Sequence, residues 1–136
     1  MVEIAHGGSG ASAWTLRAWQ SATGLCVQLN NGTGCGDYVS SGRGSMSIGV
    51  SGSDSSSWLD GEVAPRVASV RVEFADGTSV VLMPIAPPAG SRLTSRFVAM
   101  AVPTGARPTA YIALDPAGGV LQRIDVQSPP GEAPSP

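Results

Sequence analysis

Between Arg66 and Leu82 the chain reads RVASVRVEFADGTSVVL, and this stretch constrains the fold more than any other. Val70, Val72 and Phe74 alternate with Arg71 and Glu73, the two-residue period of a strand with one buried and one wet face. Ala75-Asp76-Gly77 interrupts the run, and Gly77 is free to take the positive φ that a short hairpin loop needs. β-Branched residues resume at Thr78, Val80 and Val81. The pattern predicts a hairpin.

The same alternation recurs on either side. Trp14, Leu16 and Ala18 share one face of a strand over 13–20, with Thr15, Arg17 and Trp19 on the other, so Trp14 is expected in the core and Trp19 at least partly in solvent. Leu25, Val27 and Leu29 mark a second strand, followed by the turn Asn30-Asn31-Gly32. If Asn30 and Asn31 are the turn centre, opposed residue numbers sum to 61 and Cys26 faces Cys35; centring on Asn31-Gly32 offsets them by two positions. The first register is preferred. Within the Ser/Gly-rich stretch over 39–57, Met46, Ile48 and Val50 alternate as a thin strand. Trp58 to Val63 reads as a short strand interrupted at Asp60-Gly61, and Pro65 closes it.

Farther on, LTSRFVAMAV has the composition of a short helix, but Phe97, Ala99 and Ala101 interleave with Val98, Met100 and Val102, a run apolar on both faces that suits a strand inside a sandwich. A second hairpin joins Thr109–Leu114 to Val120–Val126 across Asp115-Pro116-Ala117-Gly118-Gly119. Met1 to Ala13 offers a short strand, Val2 to Ala5, and then a glycine-rich segment too irregular to hold a regular element. Eight or nine strands and no helix predict an all-β fold: an antiparallel β-sandwich of two sheets, immunoglobulin-like in outline, with a small β-barrel as the alternative. Residues 1–12 form a flexible segment or edge strand, 13–126 the single sandwich domain, and 127–136, ending SPPGEAPSP, a Pro-rich tail or linker.

At 136 residues one core is expected, and it needs no metal to hold it. Charged residues are only 13%, and all eight cations are arginines scattered singly, with a net charge of -2. Nucleic-acid binding requires a clustered basic patch and is excluded. No run of about 18 apolar residues spans a membrane. The opening MVEIAHGGSG has neither the basic start nor the apolar stretch of a signal peptide, so the expectation is a mature domain behind an added Met1, with an intact cytosolic or virion protein as the alternative.

No constellation of catalytic residues stands out. His6 is the one histidine and lies in the glycine-rich start, no GxSxG occurs, and the chain offers at most three Cys and His where zinc needs about four. GTGCGD at Gly32 to Asp37 lacks the Lys-Ser/Thr and the helix of a phosphate loop and reads as a hairpin turn. Asp54, Asp60 and Glu62 have no calcium-loop spacing, and no cofactor or metal is expected. The carboxylates occur singly in turns (Asp37, Asp76, Asp115) or on wet strand faces (Glu73, Asp125). Trp19, Trp58 and Tyr38 are the candidates for an exposed aromatic binding surface.

WTLRAWQSATGLCVQL followed by GCG, then GEVAPRVASVRVEFADGTSV, RFVAMAVP and AYIALDPAGGVL, resembles uncharacterised extracytoplasmic β-sandwich domains of exported or membrane-anchored actinobacterial proteins. The resemblance runs from Ser12 to Arg123 and implies export, a disulfide and a sandwich, with no catalytic residues to carry over. The expected function is therefore a non-enzymatic extracytoplasmic or secreted module, tethered or spaced by its tail, that binds a protein or glycan partner. A self-assembling virion or surface-layer subunit is the second expectation, its low charge and Gly/Ser edges suiting sheet-edge pairing. A carboxylate-based glycosidase, which needs two acids facing each other within about 10 Å in a cleft, is the third. The sum-61 register and the extracytoplasmic expectation together predict a Cys26–Cys35 disulfide; the rival is a pair of free thiols in a cytosolic protein.

Overall fold

A computed structural model describes residues 1–52 and 56–126; the Pro-rich tail over 127–136 and Asp54 lie outside the described residues. The fold is an antiparallel β-sandwich, with eleven strands among the described residues. Strands β1 (Val2–Gly7), β2 (Trp14–Ser21), β3 (Gly24–Leu29) and β4 (Gly32–Gly36) form the first sheet in chain order. The middle sheet has the order β5 (Met46–Gly52), β6 (Ser57–Val63), β9 (Arg96–Val102). The third runs β11 (Val120–Asp125), β10 (Pro108–Leu114), β7 (Ser69–Phe74), β8 (Ser79–Leu82). None of them closes into a barrel; each sheet ends in edge strands.

Both sequence hairpins form as read: β7 and β8 pair Val72 with Val80 around a turn in which Gly77 has φ 89°, and β10 pairs with β11. The departure is the number of layers, three where two were expected. The doubly apolar run of β9 explains it, because each face of the middle sheet serves a different core. Leu59, Val63, Val98 and Met46 pack with Val70, Val72, Phe74, Tyr111 and Ala113 of the third sheet. Phe97, Trp58 and Ala99 turn the other way, onto Ile4, Leu16, Ala18, Leu25, Val27 and Leu29 of the first sheet. Adjacent residues of a strand point to opposite sides, so Phe97 and Val98, both wholly buried, belong to separate cores.

Two local readings need correcting. Asp60-Gly61 does not interrupt β6, which runs unbroken and pairs on both sides, Asp60 with Gly49 and Ala99, Gly61 with Ile48 and Val98. Gly61 is there for space: a Cβ on it would lie 2.5 Å from Ile48 Cδ1 and 2.6 Å from the Ser47 carbonyl oxygen. The N-terminal strand continues to Gly7, two residues past the expected Ala5, so His6 is on a strand beside Glu3 (3.2 Å) and not in a loose segment. Gly7 lets that strand pass the Trp14 ring, which a Cβ would meet at 2.8 Å.

Candidate functional site

The edge strand of the first sheet, β4, lies beside the edge strand of the middle sheet, β5, and between them opens a cleft of about 440 Å³. Its shape follows from the residues missing side chains. In β4 the positions opposite Leu29, Val27 and Leu25 are Gly32, Gly34 and Gly36, so the face turned toward the middle sheet is bare backbone. At Gly32 the two edges touch, a Cβ there falling 2.6 Å from Ser51 Cβ, and this closes one end. A Cβ on Gly34 or Gly36 would meet no heavy atom within 4 Å. Across the cleft Gly49 of β5 leaves similar room, its nearest neighbour being Asp60 Oδ1 at 3.8 Å.

The far wall carries the charge. Asp60 and Glu62 alternate along β6 on the face turned to the first sheet, about 7 Å apart at Cα, and both line the cleft. No described residue donates a hydrogen bond to Asp60, and burial alone pushes its carboxyl up to about 6. Glu62 is also raised by burial, an effect partly offset by the Ser95 hydroxyl that donates to its Oε2. Ser47 and Ser51 of β5 share this wall, and Ser51 Oγ is buried without a partner among the described residues.

The mouth is built by the loop between β4 and β5. Arg43 pairs with Asp37, donates to Ser41 Oγ at 2.9 Å and sits 5.8 Å from the centre of the Tyr38 ring. Gly44 makes room for that ring, since a Cβ would fall 2.0 Å from Tyr38 Cε1. Gln122 of β11 fixes the loop, donating to Tyr38 Oη and accepting from the Ser45 and Met46 amides.

Cys26 and Cys35 are joined in a disulfide in the sum-61 register, on the outer face of the first sheet and in one cross-strand row with Trp19. Asn30 holds the intervening turn with φ 51°. Of the three aromatic candidates only Tyr38 lines the cleft. Trp19 lies on the outer face beside the disulfide, and Trp58 is turned between the sheets with its indole N–H donating to the Ser12 carbonyl. Asp60 and Glu62, which the sequence groups with Asp54 only as a set lacking calcium-loop spacing, line one cleft from a single unbroken strand, whereas an Asp-Gly pair has the chemistry of a turn and predicts a break there. The available signal was Gly61 itself, since a glycine inside a strand marks a close backbone approach as readily as a turn.

Among the described residues no group of three His, Cys, Asp or Glu is disposed to hold a metal ion, and no helix is long and apolar enough to cross a membrane. Compared with known proteins, the chain matches no family model, no curated relative and no solved structure.

Proposed function

We propose that this protein is a non-enzymatic, extracytoplasmic binding module whose ligand enters the cleft between β4 and β5. One observation carries the proposal: Gly34, Gly36 and Gly49 face the cleft with no need of their own to be glycine. None has a positive φ, and none has a neighbour that a Cβ would strike. Glycine inside a strand costs about 0.5–1 kcal/mol relative to alanine, so a strand carrying several without internal cause is shaped for something outside it. The volume falls in the range of small-molecule sites. A disulfide, stable in oxidising compartments, supports an extracytoplasmic setting, and the Pro-rich sequence after Val126 suits a spacer. The test is a thermal-shift screen of a small-molecule library against the protein and Gly34→Leu, which fills the cleft. Ligands that stabilise the first and not the second support the reading; a library that affects both alike removes it.

A second reading rests on the two carboxylates. Asp60 and Glu62 occupy one cleft and both are shifted toward protonation, which is how a glycosidase prepares its general acid. Turnover of glycoside substrates, abolished by Asp60→Asn or Glu62→Gln, would establish hydrolysis in place of simple binding.

A further inference from the structure

We infer that the occupant of the cleft is a small organic cation, a primary amine or guanidinium, whose charge is met by Asp60 and Glu62. The inference rests on the reading of the cleft as a binding site and adds the class of ligand.

Among the described residues the charges that line the cleft are three carboxylates, Asp37, Asp60 and Glu62, against one guanidinium, Arg43. Arg43 is already paired with Asp37 at the mouth, so the interior keeps two carboxylates with no cation of their own among the described residues. Strands β3, β4 and β5, which form the other walls, contribute no titratable group except Cys35, and that is in the disulfide. Tyr38 at the mouth adds a neutral phenol. Glu62 also borders a separate small cavity that has Arg92 in its lining, and its Oε2 already accepts from the Ser95 hydroxyl. Asp60 has no such donor among the described residues. An ionised carboxylate in a partly dry site is costly until a cation or several donors reach it. Gly49 stands directly opposite Asp60 on the edge strand and leaves the approach open. Glu62 Oε1 is a further acceptor on the same face for the N–H groups of an ammonium or guanidinium. A neutral sugar would leave the charge uncompensated, and Trp58 is not among the residues that line the cleft.

Binding should also depend on pH. With the Asp60 carboxyl near 6, about one molecule in eleven is ionised there at pH 5, so cation affinity falls about tenfold between pH 8 and pH 5. Titration calorimetry with agmatine and 1,5-diaminopentane, and with 1,5-pentanediol as the uncharged control, tests the inference on the whole chain. We expect both cations to bind at pH 8, at least tenfold more weakly at pH 5 and to Asp60→Asn, an isostere that keeps the fold. The diol should give no heat. Equal binding of the diol, full affinity in Asp60→Asn, or no heat from either cation at millimolar concentration would overturn it. A panel of neutral saccharides separates the two levels of the argument. If saccharides bind the protein and not Gly34→Leu while cations bind neither, the ligand class is wrong and the binding site stands. If no probe distinguishes the protein from Gly34→Leu, both fall.

Discussion

Asp60 stands directly across the β5–β6 ladder from Gly49, so no side chain on the edge strand covers its carboxylate. Burial without a donor raises its folded-state pKa above the ordinary 3.8, to about 6. The folded state then holds a proton that the unfolded chain has released, and stability rises as pH falls from about 6 toward 4. Above that window the ionised group weakens the fold. Asp60→Asn is therefore expected to stabilise the protein at pH 8 by about 1–2 kcal/mol, allowing for solvent screening, and to give no advantage near pH 4. Urea denaturation of both proteins from pH 4 to 8 measures this, and a difference that does not change with pH would contradict it.

The glycines divide into two kinds that mutation can separate. Gly34→Ala, where a Cβ meets nothing, should raise stability by roughly 0.5–1 kcal/mol through the loss of glycine's unfolded-state freedom. Gly61→Ala should cost about 1–3 kcal/mol, because its Cβ collides with the Ser47 backbone and Ile48. Denaturation midpoints decide both.

The two cores make a joint prediction. Phe97→Ala, which empties the core beneath the first sheet, should cost about 3–5 kcal/mol, and Leu59→Ala, on the opposite face of the middle sheet, about 2–5 kcal/mol. A structure of only two layers would tolerate one of them. Val81→Ala, exposed on edge strand β8, should change stability by less than about 0.5 kcal/mol.

Reducing the Cys26–Cys35 disulfide releases a loop with a sequence separation of 9. Restoring that freedom to the unfolded chain should lower stability by about 2.5 kcal/mol and Tm by about 9 °C, without unfolding the domain at room temperature. Melting with and without reductant checks the size, and two thiols titrating in the unreduced, denatured chain would refute the bridge.

Most of the fold could be read from the chain because its signals are local. Val70, Val72 and Phe74 declare their buried face within six residues, and the Asn30-Asn31 turn sets the register that brings Cys26 to Cys35. The doubly apolar β9 was visible as a strand buried on both sides, but which sheet covers each side depends on contacts distant in sequence, and the third layer went unread. The cleft was hidden for a related reason. Its walls are defined by absent side chains in two consecutive strands that belong to different sheets and do not pair, and Asp60 carries the same residue type that marks turns at Asp76 and Asp115.

Strand β4 turns no side chain inward, so packing contributes almost nothing to holding it in place. It is kept by its ladder to β3 and by one covalent bond at Cys35, whose partner Cys26 is buried in the body of the first sheet. Such a strand is poised to fray: amide exchange at its residues reports local opening, at an energy well below that of global unfolding. The disulfide acts as a hinge pin that limits this fraying. In an oxidising compartment the backbone wall keeps a fixed distance from Asp60, whereas under reduction the wall would breathe on its own, independently of the two cores behind it.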